Sequence, residues 1–152
     1  MVLGSYLTSP KDVDAWLDSP PMQAAVHHVQ ALASTPAHPR AMATSCAGTF
    51  VLAHAGLLLG GRATTIWWLS RHFRRRFPEV RLDMQHMVVE DGAFTTAAAA
   101  LAQGDLVLHL IQRYAGSQLA HACARYLLVT VRLSWLGLPG LPLRPADVGG
   151  RF

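Results

Sequence analysis

Lysine is almost missing from this chain: of its 13 basic residues, all but Lys11 are arginine. Charge is sparse as a whole, 14% against 51% hydrophobic residues, where a globular chain carries about 25% charged. That balance excludes a disordered chain, which needs few hydrophobic residues and much charge. Only two cysteines are present, Cys46 and Cys123, which excludes a disulfide framework. Neither has a second Cys or His at zinc-finger spacing, so no metal site and no cofactor are expected, and a reducing cytoplasm fits this cysteine usage. Long apolar runs are missing too. Residues 50–60 are interrupted by His54, and residues 97–111 by Gln103 and Asp105. Both fall short of the roughly 18–20 residues that a membrane span needs. The start has no basic segment ahead of an apolar one, so no signal peptide is expected. The 152 residues suffice for one domain with one core.

A net charge of +4 is concentrated in Arg71, Arg74, Arg75 and Arg76, on a short helical stretch that reads as a solvated face and not as a nucleic-acid site. A short helical turn is expected over 12–17, capped by Asp12 or Asp14. Pro20-Pro21 opens a second helix to about Ala33, with Met22, Ala25, Val26, Val29 and Leu32 on one stripe. Ala41 to Thr44 form a short strand. A helix follows without a linker from Cys46 to about Leu59, stopped by Gly60-Gly61. Thr64 or Thr65 caps the next helix, which Pro78 ends. Strands are expected at 80–82, 87–89 and 93–95, the last two joined at Asp91-Gly92. Helices then run over about 98–115 and from Ser117 to about Val129. Strands alternating with helices predict an α/β fold with a mainly parallel sheet and a small antiparallel hairpin. From 130 to 152 Leu, Gly and Pro recur without period, as in an irregular tail.

The string Thr44-Ser45-Cys46-Ala47-Gly48-Thr49 joins a strand directly to a helix. A nucleophile so placed sits on a sharp turn, with compact residues two positions to either side, here Thr44 and Gly48. The following helix points its N-terminus at Cys46 and favours a thiolate, and the Ala47 N–H is placed as an oxyanion donor. A buried cysteine packing as a small apolar group fits the local pattern equally. Asp105, within an apolar helix, is read as structural. His54 and His109 are single histidines on apolar helices, and His27-His28 face different ways. Thr95-Thr96 are placed at a helix start as caps, and Trp67-Trp68 either line a pocket or pack.

Residues 42–129 resemble the ThiJ/PfpI domain, of the class I glutamine amidotransferase-like fold, in the version that forms the N-terminal half of AraC-family transcriptional regulators. The resemblance rests on Ser45-Cys46-Ala47-Gly48-Thr49-Phe50-Val51-Leu52-Ala53, on Ala55-Gly56-Leu57-Leu58 with Gly61-Arg62-Ala63-Thr64-Thr65 and Trp67, on Arg74-Arg75-Arg76-Phe77-Pro78-Glu79-Val80, and on Glu90-Asp91-Gly92 with Thr95-Thr96-Ala97, Asp105-Leu106 and His109-Leu110. It implies a partial flavodoxin-like three-layer sandwich over 1–129, Cys46 as the elbow nucleophile, and a ligand site of Cys46, Ala47, Thr65, Ile66 and Trp67, with Gly48 and Asp105 structural.

Two departures argue against catalysis. Family members commonly read Thr-Thr-His-Trp where this chain has Thr64-Thr65-Ile66-Trp67, and isoleucine cannot move a proton, a loss worth typically 10²–10⁴-fold. The superfamily's acidic residue would precede Met1. The resemblance also implies truncation at both ends, since Val2-Leu3-Gly4 match a strand a third of the way into the domain and no helix-turn-helix follows Val129. The expected function is a non-catalytic sensing or dimerisation domain of an AraC-type regulator without its DNA-binding half. It would bind a small-molecule effector, self-associate as a homodimer, and touch neither nucleic acid nor membrane. A cysteine-dependent enzyme, isonitrile hydratase-like or glyoxalase-like, and a frameshifted gene fragment are the alternatives.

Overall fold

The computed structural model describes residues 7–34, 41–99 and 101–127. The strand expected at 2–4 and the tail expected over 130–152 lie outside the described residues. The chain forms two compact units, Met1–Val107 and Leu108–Phe152.

The first unit opens with α1 (Pro10–Leu17). Its cap is Ser9, not Asp12 or Asp14. The Ser9 hydroxyl accepts the Asp12 N–H at 3.2 Å and the Asp12 carboxylate accepts the Ser9 N–H at 2.9 Å, a reciprocal box that satisfies two helix-end donors. Pro20-Pro21 start α2 (Pro20–Ala33), as the sequence predicts, and Val26 and Val29 of its stripe are buried. Strand β1 (Met42–Ser45) is buried at all four positions, as a strand covered on both faces must be.

Helix α3 spans only Gly48–His54, five residues short of the expected end. The stop is Gly56, at φ +76°. The Leu57 N–H reaches back to the Leu52 carbonyl and the Gly56 N–H to that of Ala53, both at 3.0 Å, which closes the helix with a left-handed glycine. Strand β2 (Arg62–Ala63) was not expected. The helix predicted from Thr64 is replaced by an extended stretch through Ile66, a 3₁₀ turn at Trp67–Leu69, and α4 (Ser70–Arg76). The threonine hydroxyls do not cap it.

Strands β3 (Arg81–Leu82), β4 (Val88–Asp91) and β5 (Phe94–Ala97) follow. The three-stranded sheet has the order β1-β5-β4. Strands β1 and β5 are parallel, with Met42 opposite Phe94 and Ser45 opposite Ala97. Strands β4 and β5 are antiparallel, with Asp91 opposite Phe94. That register leaves a two-residue loop, Gly92-Ala93, with Gly92 at φ +60°, as such hairpin turns require. Strands β2 and β3 form a second, parallel pair. The sheets are mainly parallel with one hairpin, as the sequence predicts. Thr95 and Thr96 belong to β5 and are not helix caps.

One hydrophobic core joins Val13 and Leu17 of α1, Val26 and Val29 of α2, Phe50, Val51 and Leu52 of α3, and Leu69 and Phe73. Phe50, Phe73 and Phe77 meet edge to face or tilted at 5.0–6.2 Å. Asp14 ties α1 to α4, with Arg76 Nη1 at 2.8 Å and His72 Nε2 at 3.0 Å from the same oxygen. Arg71, Arg74 and Arg75 are exposed, as expected of a solvated face. Helix α5 (Ala102–Ala115) begins four residues later than predicted, because residues 98–99 still run on from β5. In the second unit, Gly116 at φ +90° separates α5 from α6 (Ser117–Tyr126), whose Ala120 and Ala124 are buried.

Candidate functional site

Cys46 stands at φ +58°, alone among the described non-glycine residues in having a positive φ. A left-handed conformation costs an L-residue about 1–2 kcal/mol, so the surroundings must hold it. The sequence supplies the reason for the turn: β1 ends at Ser45 and α3 begins at Gly48, leaving two residues to reverse direction. The Cys46 N–H is shared between the carbonyls of Ala97 (3.0 Å) and Ala98 (2.8 Å), where β5 ends. The Cys46 carbonyl accepts the Thr65 hydroxyl at 2.9 Å and the Thr49 N–H at 3.3 Å. Both backbone polar groups of the strained residue are therefore bonded, as a buried turn demands.

Four threonines fasten the elbow to its neighbours, and sequence reasoning missed three of them. Besides Thr65, the Thr49 hydroxyl donates to the Thr64 carbonyl at 3.0 Å. The Thr64 N–H donates to Thr96 Oγ1 at 2.9 Å, and the Thr96 hydroxyl donates to the Val89 carbonyl at 3.4 Å. Thr49, Thr64, Thr65 and Thr96 are all buried. Thr64 takes part through its backbone alone, and its own buried hydroxyl has no partner among the described residues. Buried hydroxyls are mostly bonded, so this many threonines among apolar residues was the available signal.

The thiol is half-buried. Burial pushes its pKa up, against an opposing pull from the Ala47 N–H. Desolvation disfavours the thiolate and is the larger of the two causes. Helix α3 is only seven residues long. Ala47, at the N-cap of α3 and fully buried, turns its N–H to the sulfur, so the expected oxyanion donor already has a partner.

The remaining predicted residues separate by exposure. Gly48 is the first, buried residue of α3. Thr65 has no exposed surface and spends its hydroxyl on the Cys46 carbonyl. Ile66, expected among the ligand contacts, is instead a core residue with no exposed surface. Trp67 is 70% exposed and meets Trp68 edge to face at 5.6 Å, while the Trp68 indole N–H donates to the Leu7 carbonyl at 3.0 Å. Cys46 and Trp67 are thus the members of the predicted set with access to solvent. Asp105 is buried in the first turn of α5, not in mid-helix, where a carboxylate suits the positive helix end. His54 pairs with Gln23 at 3.2 Å, the structural role expected of it. Sequence reasoning passed over His72 and offered Asp14 only as a cap, although His72 and Arg76 share one face of α4 at i, i+4 spacing. Among the described residues there is no cluster of three or more metal-ligating side chains, and no helix long and apolar enough to cross a membrane.

No family model matches the chain. It is 39% identical over 83 residues to the HTH-type transcriptional regulator ArgR of Pseudomonas aeruginosa, covering 55% of this chain and 25% of that protein. It is 41% identical over 73 residues to the HTH-type transcriptional regulator CdhR of the same species, covering 48% and 21%. The chain thus spans about a quarter of the length of the curated relatives it matches. An AraC family transcriptional regulator from Pseudomonas putida superposes with a TM-score of 0.60 at 22% identity, over 73% of this chain and 58% of that one. A ThiJ/PfpI family protein from Pseudomonas syringae does so with a TM-score of 0.52 at 24% identity, over 84% and 50%. The cysteine elbow, the β1-β5-β4 sheet and these structural likenesses together give this chain the flavodoxin-like fold that ThiJ/PfpI proteins share, and in sequence it is similar to part of HTH-type transcriptional regulators.

Proposed function

We propose that this domain is a non-catalytic sensing or dimerisation module of an AraC-type transcriptional regulator. It responds to a small-molecule effector in the cytoplasm and leaves contact with DNA to other parts of a regulator. The observation that carries this reading is the environment of Cys46. Burial pushes its thiol pKa up, and Ile66, at the position where the resemblance implies a histidine, is fully buried. A sensor needs an ordered elbow and a solvent-accessible aromatic, which Cys46 and Trp67 supply, but no proton transfer. Homodimerisation is part of the proposal.

The strained φ of Cys46 favours a second reading, a cysteine-dependent enzyme, because such strain concentrates at active sites. Assaying methylglyoxal and an isonitrile with the wild type and Cys46→Ser separates the two. The sensing module gives no turnover above buffer for either protein, with a dimer in sedimentation velocity. Turnover abolished by Cys46→Ser would replace it with the enzyme.

A further inference from the structure

We propose that the groove formed by β2, β3 and α4 is a binding site for a small organic dianion, separate from the cysteine elbow. The groove has a volume of about 510 Å³, and Arg62, Arg74 and Arg81 line it together with Asp83 and Gln85. Arg62 and Arg81 are direct register partners in the parallel β2–β3 pair, so their side chains leave the sheet on the same side. Like charges placed directly opposite one another destabilise a strand pair. One carboxylate answers them in part. Asp83 lies 2.8 Å from Arg62 Nη2, and also takes His86 Nδ1 and the Gln85 N–H, each at 2.9 Å. The nearby Asp91 turns instead to the Arg62 backbone N–H at 2.6 Å and lines the adjoining groove.

Three guanidinium groups therefore face one carboxylate, and two positive charges remain over. Their donors are largely uncommitted. Arg81 gives one bond, to the Gly60 carbonyl at 3.0 Å. Arg74 is exposed and bonds to nothing among the described residues. A concave surface with an excess of one sign concentrates the field on an entering ion, and the planar guanidinium fork matches the two oxygens of a carboxylate or phosphate. The volume is that of a small-molecule site, and Leu82 and Met84 offer apolar wall to a carbon skeleton. The ligand class this fits is a phosphate monoester or a dicarboxylate. The solvated-face reading of the arginine cluster holds for Arg71 and Arg75, but Arg74 turns to the groove.

Isothermal titration of the full chain with inorganic phosphate, and separately with succinate, at fixed ionic strength tests this. Saturable binding of at least one anion, with a Kd on the order of 1 mM, is expected. Arg74→Gln weakens it by about tenfold or more, as the loss of a charge-assisted bond does, while the ligand-free melting temperature is unchanged. Arg74→Lys restores part of the affinity. Arg71→Gln, which removes an equal charge from the same helix outside the groove, leaves it unaltered. Preference for phosphate assigns a compact dianion, and preference for succinate a spread one. No saturation with either anion, or equal losses in Arg71→Gln and Arg74→Gln, would overturn the site.

Discussion

Replacing Cys46 by glycine and, separately, by alanine isolates the strain stored in the elbow. Both substitutions remove the sulfur, so their difference reports the backbone and one methyl group. At an ordinary position glycine is the worse by about 0.5–1 kcal/mol of chain entropy, plus a share of the roughly 0.8 kcal/mol for a buried carbon, here less because Cys46 is half-buried. At φ +58° glycine escapes about 1–2 kcal/mol of left-handed strain that alanine keeps. The terms cancel or reverse the usual order, so Cys46→Gly should match Cys46→Ala or exceed it by up to about 1 kcal/mol. In a chain of this size that is up to about 4 °C in melting temperature, read by differential scanning calorimetry at one pH. If the glycine variant melts about 3 °C or more below the alanine variant, the elbow is not strained as described and the reasoning fails.

Three further outcomes follow from the same packing. Ile66→Ala should cost about 2–5 kcal/mol in urea denaturation, the range for emptying a buried aliphatic site; a loss below about 1 kcal/mol would mean that Ile66 is not in the core. Thr65→Val keeps the shape but removes the hydroxyl from the Cys46 carbonyl, and should cost about 1 kcal/mol while raising the rate of Cys46 alkylation; an unchanged rate would show that Thr65 does not hold the elbow closed. Arg62 lowers the Asp83 carboxyl from 3.8 to about 2. Its stabilising effect is complete above the unfolded value and is lost as pH falls from about 4 towards 2. Asp83→Asn should flatten that part of a stability-against-pH curve, and an unaltered acid limb would remove the pair's role.

Much of the architecture was legible because its signals are local. Pro20-Pro21 and the apolar stripe fixed α2, and a compact strand running straight into a helix marked the elbow. The errors have a common physical source. Gly56 ends α3 through a left-handed glycine, while the more conspicuous Gly60-Gly61 drew the boundary downstream. Thr64 and Thr96 were read as caps from their neighbours in sequence, yet they bond to each other across 32 residues, which no local pattern encodes. Strand β2 has two residues, too few to show a period. At the site, the sequence placed Cys46 on its turn, but the sign of the thiol's shift depends on burial that only the folded chain sets.

The most direct test of the central claim is the pH dependence of Cys46 alkylation by iodoacetamide, followed by peptide mass spectrometry so that Cys123 is read separately. A thiol whose pKa burial pushes up predicts slow reaction at neutral pH and an inflection above that of a free thiol. An inflection at or below about 7, the range of activated cysteines, would contradict the account and mark Cys46 as a nucleophile.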